Sequence, residues 1–326
     1  MRVKSIDTIR GLLMFWVLIT HISLNYGYIT WEGEFTNSSP FMWMSFFMVP
    51  FYVFSGFFFS HKKGLKSFIS NKIRKLIIPY ITFSVLGLLF YFGYQLIADK
   101  HISLGVLTSW LHTGALSSNT PCWFFISLFS VNILYYIISK YFSKFLPVFI
   151  ICCFLLAYLS CNRLQILGYG NILLGLVYFH FGKLLKEKGF ILYRKEYLLV
   201  FLTLYVVIGI FDPQRLSFVL NNLKQGNYFL NLCFSLSATF ILWYLANLLP
   251  QNGKVINVVQ YIGKNSLVLF ASHRIVLNWV YTPIINTFWP SCSYAMYLVL
   301  ALVVILIFYI VLLKLFKTKS PYLIGL

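Results

Sequence analysis

Residues 5–21 read SIDTIRGLLMFWVLITH. The stretch is apolar enough to open a membrane helix, yet it carries Asp7, Arg10 and His21. An ionisable side chain inside a span is costly and points to function. Asp7 and Arg10 stand at i and i+3, neighbours on a helix surface. Arg10 and His21 are separated by roughly three turns, so they share one face to within about 20° and lie roughly 16 Å apart along the axis. Two readings follow. In one, Arg10 is an interfacial anchor whose stem snorkels, Asp7 starts the helix and His21 is an interhelical hydrogen bonder. In the other, the helix aligns an ion-pairing group near one membrane surface with an imidazole deep in the span.

Working outward, the whole chain has this character. Of 326 residues, 60% are hydrophobic and 10% charged, with a mean hydropathy of +0.81. Soluble domains carry about 25% charged residues, so a soluble core protein is excluded. The expectation is an all-α polytopic membrane protein, a bundle of about ten transmembrane helices forming one domain over residues 1–326. The candidate spans are 9–29, 42–60, 76–97, 122–139, 145–161, 170–185, 197–211, 229–249, 262–281 and 295–313. Pro50 within the second predicts a kink; Pro79 at the start of the third is well tolerated. The N-terminus lacks a small-residue cleavage site and reads as an uncleaved first helix.

The net charge of +19 would suggest nucleic acid in a soluble protein. Here the basic residues occupy short loops between apolar runs. Arg2 and Lys4; Lys62, Lys63, Lys66, Lys72, Arg74 and Lys75; Lys140 and Lys144; Lys183, Lys186, Lys188, Arg194 and Lys195; Lys254 and Lys264; and Lys314, Lys317 and Lys319 fall at the start and in every second loop, on one side of the predicted bundle. The opposite loops hold Lys100, Arg163, Arg215 and Lys224 among Glu32, Glu34, Asp99 and Asp212. This asymmetry predicts ten helices with both termini cytoplasmic. The opposite loops are short, so an acceptor would have to reach into the membrane domain. The loops GYITWEGEFTNSSP (27–40) and NTPC (119–122) are expected to gate or line a cavity. The six cysteines show no metal-binding spacing, and no metal is expected; Cys122, Cys161 and Cys292 fall near the outer ends of spans, which leaves a disulfide open without predicting one.

An aspartate, an arginine three residues on and a histidine after ten more resemble the opening signature of the integral-membrane acyltransferase family three. FFMVPFYVFSGFFFS (46–60), KIRKLIIPYI (72–81), CWFFISLF (122–129) and IGKNSLVLFASHRIVL (262–277) are similar, in order, to that family's second helix with its Ser-Gly pair, its basic stretch before a proline, its Trp-aromatic helix start and its late histidine helix. The resemblance covers nearly the whole chain, with fucose 4-O-acetylase-like sugar acetylases the nearest in character. It implies a bacterial inner-membrane O-acetyltransferase. The implied donor is acetyl-CoA or another acyl-CoA, and the implied acceptor a hydroxyl of a cell-envelope glycan or lipid-linked sugar. Longer family members carry a soluble domain after the last helix; this chain is expected to finish the transfer within the membrane or with a partner.

Acyl transfer from a thioester to a hydroxyl needs a base, a positioned donor and a partner for developing negative charge. His21 suits the base, its unperturbed pKa of about 6.5 lying near working pH. Asp7, roughly 21 Å away along the helix, is too far to orient that imidazole and is expected to pair with Arg10. Arg10 with Lys72, Arg74 and Lys75 would seat the CoA phosphates, arginine matching phosphate bidentately; positive-inside bias alone also accounts for Lys72 and Lys75. His273 and Arg274, mid-span, are expected to face a cavity as substrate binders or a second proton handler. Trp123 is a candidate stacking residue for a sugar or adenine, against the commoner role of aromatic core. Asn265 and Ser266 are expected to cap their helix, and Ser55–Gly56 to allow close packing. A secondary transporter or flippase for a sugar-linked substrate is the alternative, against which stands the lack of an internal repeat.

Overall fold

The apolar runs fold as helices, and among the described residues every regular element is helical. The computed structural model describes residues 3–28, 43–62, 64–98, 101, 103, 105–160, 166–187, 195–211 and 228–325. Most of the 27–40 loop, Cys161 and the charged residues Arg2, Glu32, Glu34, Lys63, Asp99, Lys100, Arg163, Lys188, Arg194, Asp212, Arg215 and Lys224 lie outside them.

In chain order the helices are α1 (Lys4–Tyr26), α2 (Val49–Phe57), α3 (Leu65–Lys72), α4 (Ile78–Ile97), α5 (Gly105–Thr113), α6 (Trp123–Tyr141), α7 (Leu146–Leu159) and α8 (Tyr169–Glu187). They continue with α9 (Lys195–Phe211), α10 (Tyr228–Leu248), α11 (Lys254–Lys264), α12 (Ser266–Val276), α13 (Thr282–Phe288) and α14 (Tyr294–Lys319). Six continuous helical segments among the described residues are long and apolar enough to cross a membrane: 4–26, 65–97, 105–141, 228–248, 266–288 and 294–319. The other expected spans contain α2, α7, α8 and α9, which fall short of that measure. The helical run is interrupted by turns at 44–48, just ahead of Pro50. Pro50 sits in the first turn of the nine-residue α2, where the missing N–H would have had no partner.

Helix α1 is the hub, packing on α10, α11, α12 and α14. Two reciprocal glycine contacts set the closest approaches. A Cβ on Gly11 would collide with the Val259 carbonyl, and one on Gly263 with the Asp7 carbonyl, so α1 and α11 touch backbone to backbone. Likewise Gly56 of α2 lies on the Phe179 carbonyl and Gly182 of α8 on the Val53 carbonyl. In lipid, where burial supplies no hydrophobic gain between helices, such small-residue contacts are how helices adhere.

Two π-turns, Ile73–Ile77 and Leu277–Tyr281, interrupt the long helices. Each is followed at the second position of the next helix by a proline, Pro79 and Pro283. A proline ring crowds the carbonyl four residues back and donates nothing to it; a wider turn ahead of it accommodates both defects. The 3₁₀ segment Ser117–Cys122 is not an exposed gate. Ser118, Asn119, Pro121 and Cys122 are buried, wedged between α4 and α12. Asn119, with φ −150° and ψ 72°, spends its amide on the carbonyls of Phe83 (3.0 Å) and Ala271 (2.9 Å). Asn265 likewise does not cap α12. Its amide donates back to the Tyr261 carbonyl at 2.8 Å and closes the end of α11. Cys122 and Cys292 are free thiols.

Candidate functional site

Helix α1 is pinned at both ends. Gln260 Nε2 donates to Thr8 Oγ1 (3.2 Å) and Lys4 Nζ to Asn252 (3.0 Å). At the far end Ser23 shares a 2.7 Å hydrogen bond with the Tyr294 hydroxyl, and Tyr26 donates to the Cys292 carbonyl at 3.0 Å. Gly27, at φ +80°, ends the helix in the left-handed region that glycine adopts without strain.

This anchoring brings His21 against α12. The His21 and His273 rings lie with centroids 5.0 Å apart, tilted by 36°. His273 is fully buried, and its Nδ1 lies 2.8 Å from the Phe270 carbonyl. A carbonyl only accepts, so Nδ1 carries the proton and neutral His273 keeps its lone pair on Nε2. That Nε2 is buried and has no hydrogen-bond partner among the described residues. His21 and Arg274 retain partial access, so the histidine pair borders space rather than packed core. Arg274 is close enough to act on His21 through its charge.

Arg274 Nη1 donates to Asn25 Oδ1 at 3.0 Å, and its buried Nε is without a partner among the described residues. The Asn25 amide in turn donates to Asn278 Oδ1 (2.9 Å) and Thr282 Oγ1 (3.3 Å). Sequence reasoning missed Asn25, Asn278 and Thr282. The available signal was the four-residue spacing His21–Asn25 and Arg274–Asn278–Thr282, which stacks polar groups on one helical stripe.

The remaining predicted residues divide. Arg10 lies partly accessible with its guanidinium 6.0 Å from the centre of the Phe54 ring. Asp7 is buried against α11 and acts on Arg10 through its charge; neither reaches the histidine pair. Trp123 is buried at the start of α6 and connects to His273 through a chain of rings, Phe124 at 5.9 Å, then Phe270 at 5.5 Å, then His273 at 5.9 Å.

Arg74 and Lys75 are exposed on the π-turn, whereas Lys72 turns inward, its Nζ 5.3 Å from the Phe68 ring. There it joins residues that sequence reasoning left aside. Lys140 donates to the Tyr136 hydroxyl at 3.0 Å, Lys183 lies 5.9 Å from the Phe59 ring, and His61 Nε2 is 2.7 Å from Ser139 Oγ. Phe59, Phe68, Tyr136 and His61 form one aromatic patch, Phe68 and Tyr136 at 4.6 Å and His61 and Tyr136 at 5.5 Å. Lysines from three helices thus converge on it. Glu187 answers Lys183 at 2.9 Å. The resulting positive field is legible on His61, whose imidazole is held below its ordinary value by burial first and then by Lys183 and Lys140. His180 Nδ1 is hydrogen-bonded to the Tyr135 hydroxyl at 2.9 Å.

No group of three or more His, Cys, Asp and Glu side chains among the described residues is placed to hold a metal ion. No curated protein and no solved structure is similar enough to match the chain. A family model described as an acyltransferase domain, that of acyltransferase family 3, matches residues 3–314. That match takes in α1 with its arginine and histidine, the late histidine helix and nearly all of α14, and with the membrane-length helices around them it makes the chain a membrane acyltransferase: it belongs to acyltransferase family 3.

Proposed function

We propose that the protein is an O-acyltransferase of the bacterial inner membrane, moving an acetyl group from acetyl-CoA, or another acyl group from its CoA thioester, to a hydroxyl of a cell-envelope carbohydrate. Residues 1–326 act as one membrane domain that crosses ten times with both termini cytoplasmic. The observation that carries the reading is the His21–His273 pair: two imidazoles at 5.0 Å bordering accessible space, one with its protonation fixed by a backbone carbonyl.

His21 takes the proton of the acceptor hydroxyl as that oxygen attacks the thioester carbonyl. The C–S bond of the tetrahedral adduct breaks, and the imidazolium returns the proton to the departing thiolate. The ester and free CoA leave, and His21 is neutral again. The unpartnered Nε2 of His273 is an acceptor that gains a bond when a hydroxyl or the His21 N–H turns to it, so His273 positions or shares the proton in flight. Arg274 supplies positive charge for the developing oxyanion. Arg10, Lys72, Arg74 and Lys75 hold the donor phosphates. Lys140, Lys183 and His61 extend that site, with the Phe59–Phe68–Tyr136 patch as a face on which an adenine can stack. The roughly 16 Å from Arg10 to His21 along α1 is a span that the flexible arm of CoA can bridge. Asp7 holds Arg10 in charge balance.

The test is transfer of labelled acetyl from acetyl-CoA to envelope glycan in membranes carrying the protein. Wild type should consume donor in an acceptor-dependent way and folded His21→Ala should not. Full transfer by His21→Ala sinks the mechanism; no donor turnover with any acceptor sinks the reaction.

A further inference from the structure

At the end of α4 remote from the basic π-turn, the chain leaves a groove of about 1010 Å³ between α4 and α13. Ligand sites generally span about 300–1,000 Å³, so this one holds more than a single ring-sized ligand. Its wall is aromatic: Phe90, Tyr94 and Trp279. Trp279 is held edge-on by Tyr91 at 5.1 Å, and its Nε1 is tied to the Ser118 carbonyl at 2.8 Å, which fixes the indole plane. Its polar groups include the amides and hydroxyls of Asn278, Thr282, Asn286 and Thr287, and none of its lining residues among the described residues is charged.

Fixed aromatic faces beside neutral amides and hydroxyls match one ligand chemistry closely. A pyranose presents an apolar C–H face that stacks on a ring and a rim of hydroxyls that both donate and accept. A charged ligand would find no counter-ion among the described lining residues, and a purely apolar one would strand the amides. The groove also communicates with the histidine pair. Asn278 and Thr282, which line it, both accept from the Asn25 amide, and Asn25 Oδ1 holds Arg274. The buried Arg274 Nε and His273 Nε2 lie at the inner end of this chain without partners among the described residues. The outer rim is apolar, with Ile97 89% and Phe288 83% exposed.

We infer that this groove is the acceptor site, that it takes a saccharide, and that Asn25 is a positioning residue that transmits its register to Arg274 and His21. The inference rests on the acyl-transfer reading above and adds where the acceptor binds. The saccharide arrives either free, as the end of a polymer, or on a polyprenyl lipid whose chain leaves over the Ile97–Phe288 rim.

The test replaces Thr287 by cysteine, with the exposed Cys152 changed to serine, and compares the same variant before and after attaching a bulky methanethiosulfonate. Labelled acetyl is followed in membranes that contain their native acceptors, split into organic-extractable and polymeric fractions. A tenfold or greater loss of transfer on plugging, with CoA binding intact, is the expected result, and the labelled fraction tells lipid-linked from free acceptor. Undiminished transfer after plugging overturns the groove and leaves the acyltransferase reading standing. A parallel saturation-transfer NMR experiment on the full-length protein in nanodiscs uses methyl glycosides of hexoses and 6-deoxyhexoses. Plug-sensitive binding without any transfer would keep the groove and remove the acyl-transfer reading; glycoside signals that plugging does not change, or none at all, overturn the groove. Asn25→Ala should lower kcat at least tenfold with glycoside binding changed less than threefold; equal loss of both would mean that Asn25 merely supports the fold.

Discussion

His21 and His273 lie ring to ring at 5.0 Å, one near the end of the first helix and the other on α12, and the Phe270 carbonyl dictates which nitrogen of His273 holds the proton. Removing either imidazole should therefore act on catalysis in different ways. His21→Ala should lower transfer by about 10²–10⁴, the range of general-base catalysis. His273→Asn, whose amide can reproduce the donation to Phe270, should retain more activity than His273→Ala. Initial rates of acetyl transfer decide this, and equal activity of the two His273 variants would refute the tautomer argument.

The clasp between α1 and α11 predicts a stability effect at a distance from the chemistry. Gly11→Ala and Gly263→Ala each push a methyl into a backbone carbonyl, an overpacking cost of about 1–3 kcal/mol. Gly253→Ala, which meets nothing within 4 Å, should be neutral. Thermal unfolding in detergent compares the three, and a Gly263→Ala protein as stable as wild type would mean that the helices separate freely.

Asn119 joins α4 to α12 through two carbonyls and also reaches Cys122 Sγ at 3.2 Å. Asn119→Leu removes both bridging hydrogen bonds in a buried site, at about 0.5–1.5 kcal/mol for each. Lower unfolding temperature together with reduced transfer is expected, because Ala271 lies two residues before His273. Unchanged stability would show that the 117–122 segment is passive packing.

The converging lysines predict where donor affinity resides. Lys140→Ala and Lys183→Ala should raise the KM for acyl-CoA with little change in kcat, and more so at low salt. Lys264→Ala, away from the patch, should do neither. Phosphates bound beside His61 would reverse the depression of its pKa, so CoA binding near pH 6 should take up protons. Calorimetry in buffers of different ionisation heat reads that uptake; heats that do not depend on buffer would place the phosphates elsewhere.

Much of the scaffold was legible because helical hydrophobicity is a strong local signal. All ten apolar segments contain helix, and the Arg10–His21 alignment on one face needed only the helical repeat. The number of crossings was less accessible: α2 and α7 are short, and chain length alone does not tell a short crossing from a shallow packed helix. Pro50 marks an interruption of its apolar run, but that α2 begins only at Val49 is concealed by the run's length. The His21–His273 contact could not be read from spacing, since tertiary packing makes it. Lys72 and Lys75 look equivalent in sequence; the π-turn between them sends one inward and the other out. Asn119 looked like a loop residue because NTPC carries turn chemistry, and the carbonyls that draw it inside belong to distant helices.

The clasp of α1 against α11 has a consequence for substrate choice. Arg10 immediately precedes Gly11, which is locked against Val259, and His21 rides the same rigid rod, so the two cannot slide relative to one another. A donor whose phosphates are held at the Arg10 end then delivers its thioester at one fixed height. On the proposed mechanism the helix would act as a calliper, discriminating by the length of the arm that carries the acyl group and only secondarily by the acyl group itself. A carrier shortened by a few atoms would dock well and still fall short of the base.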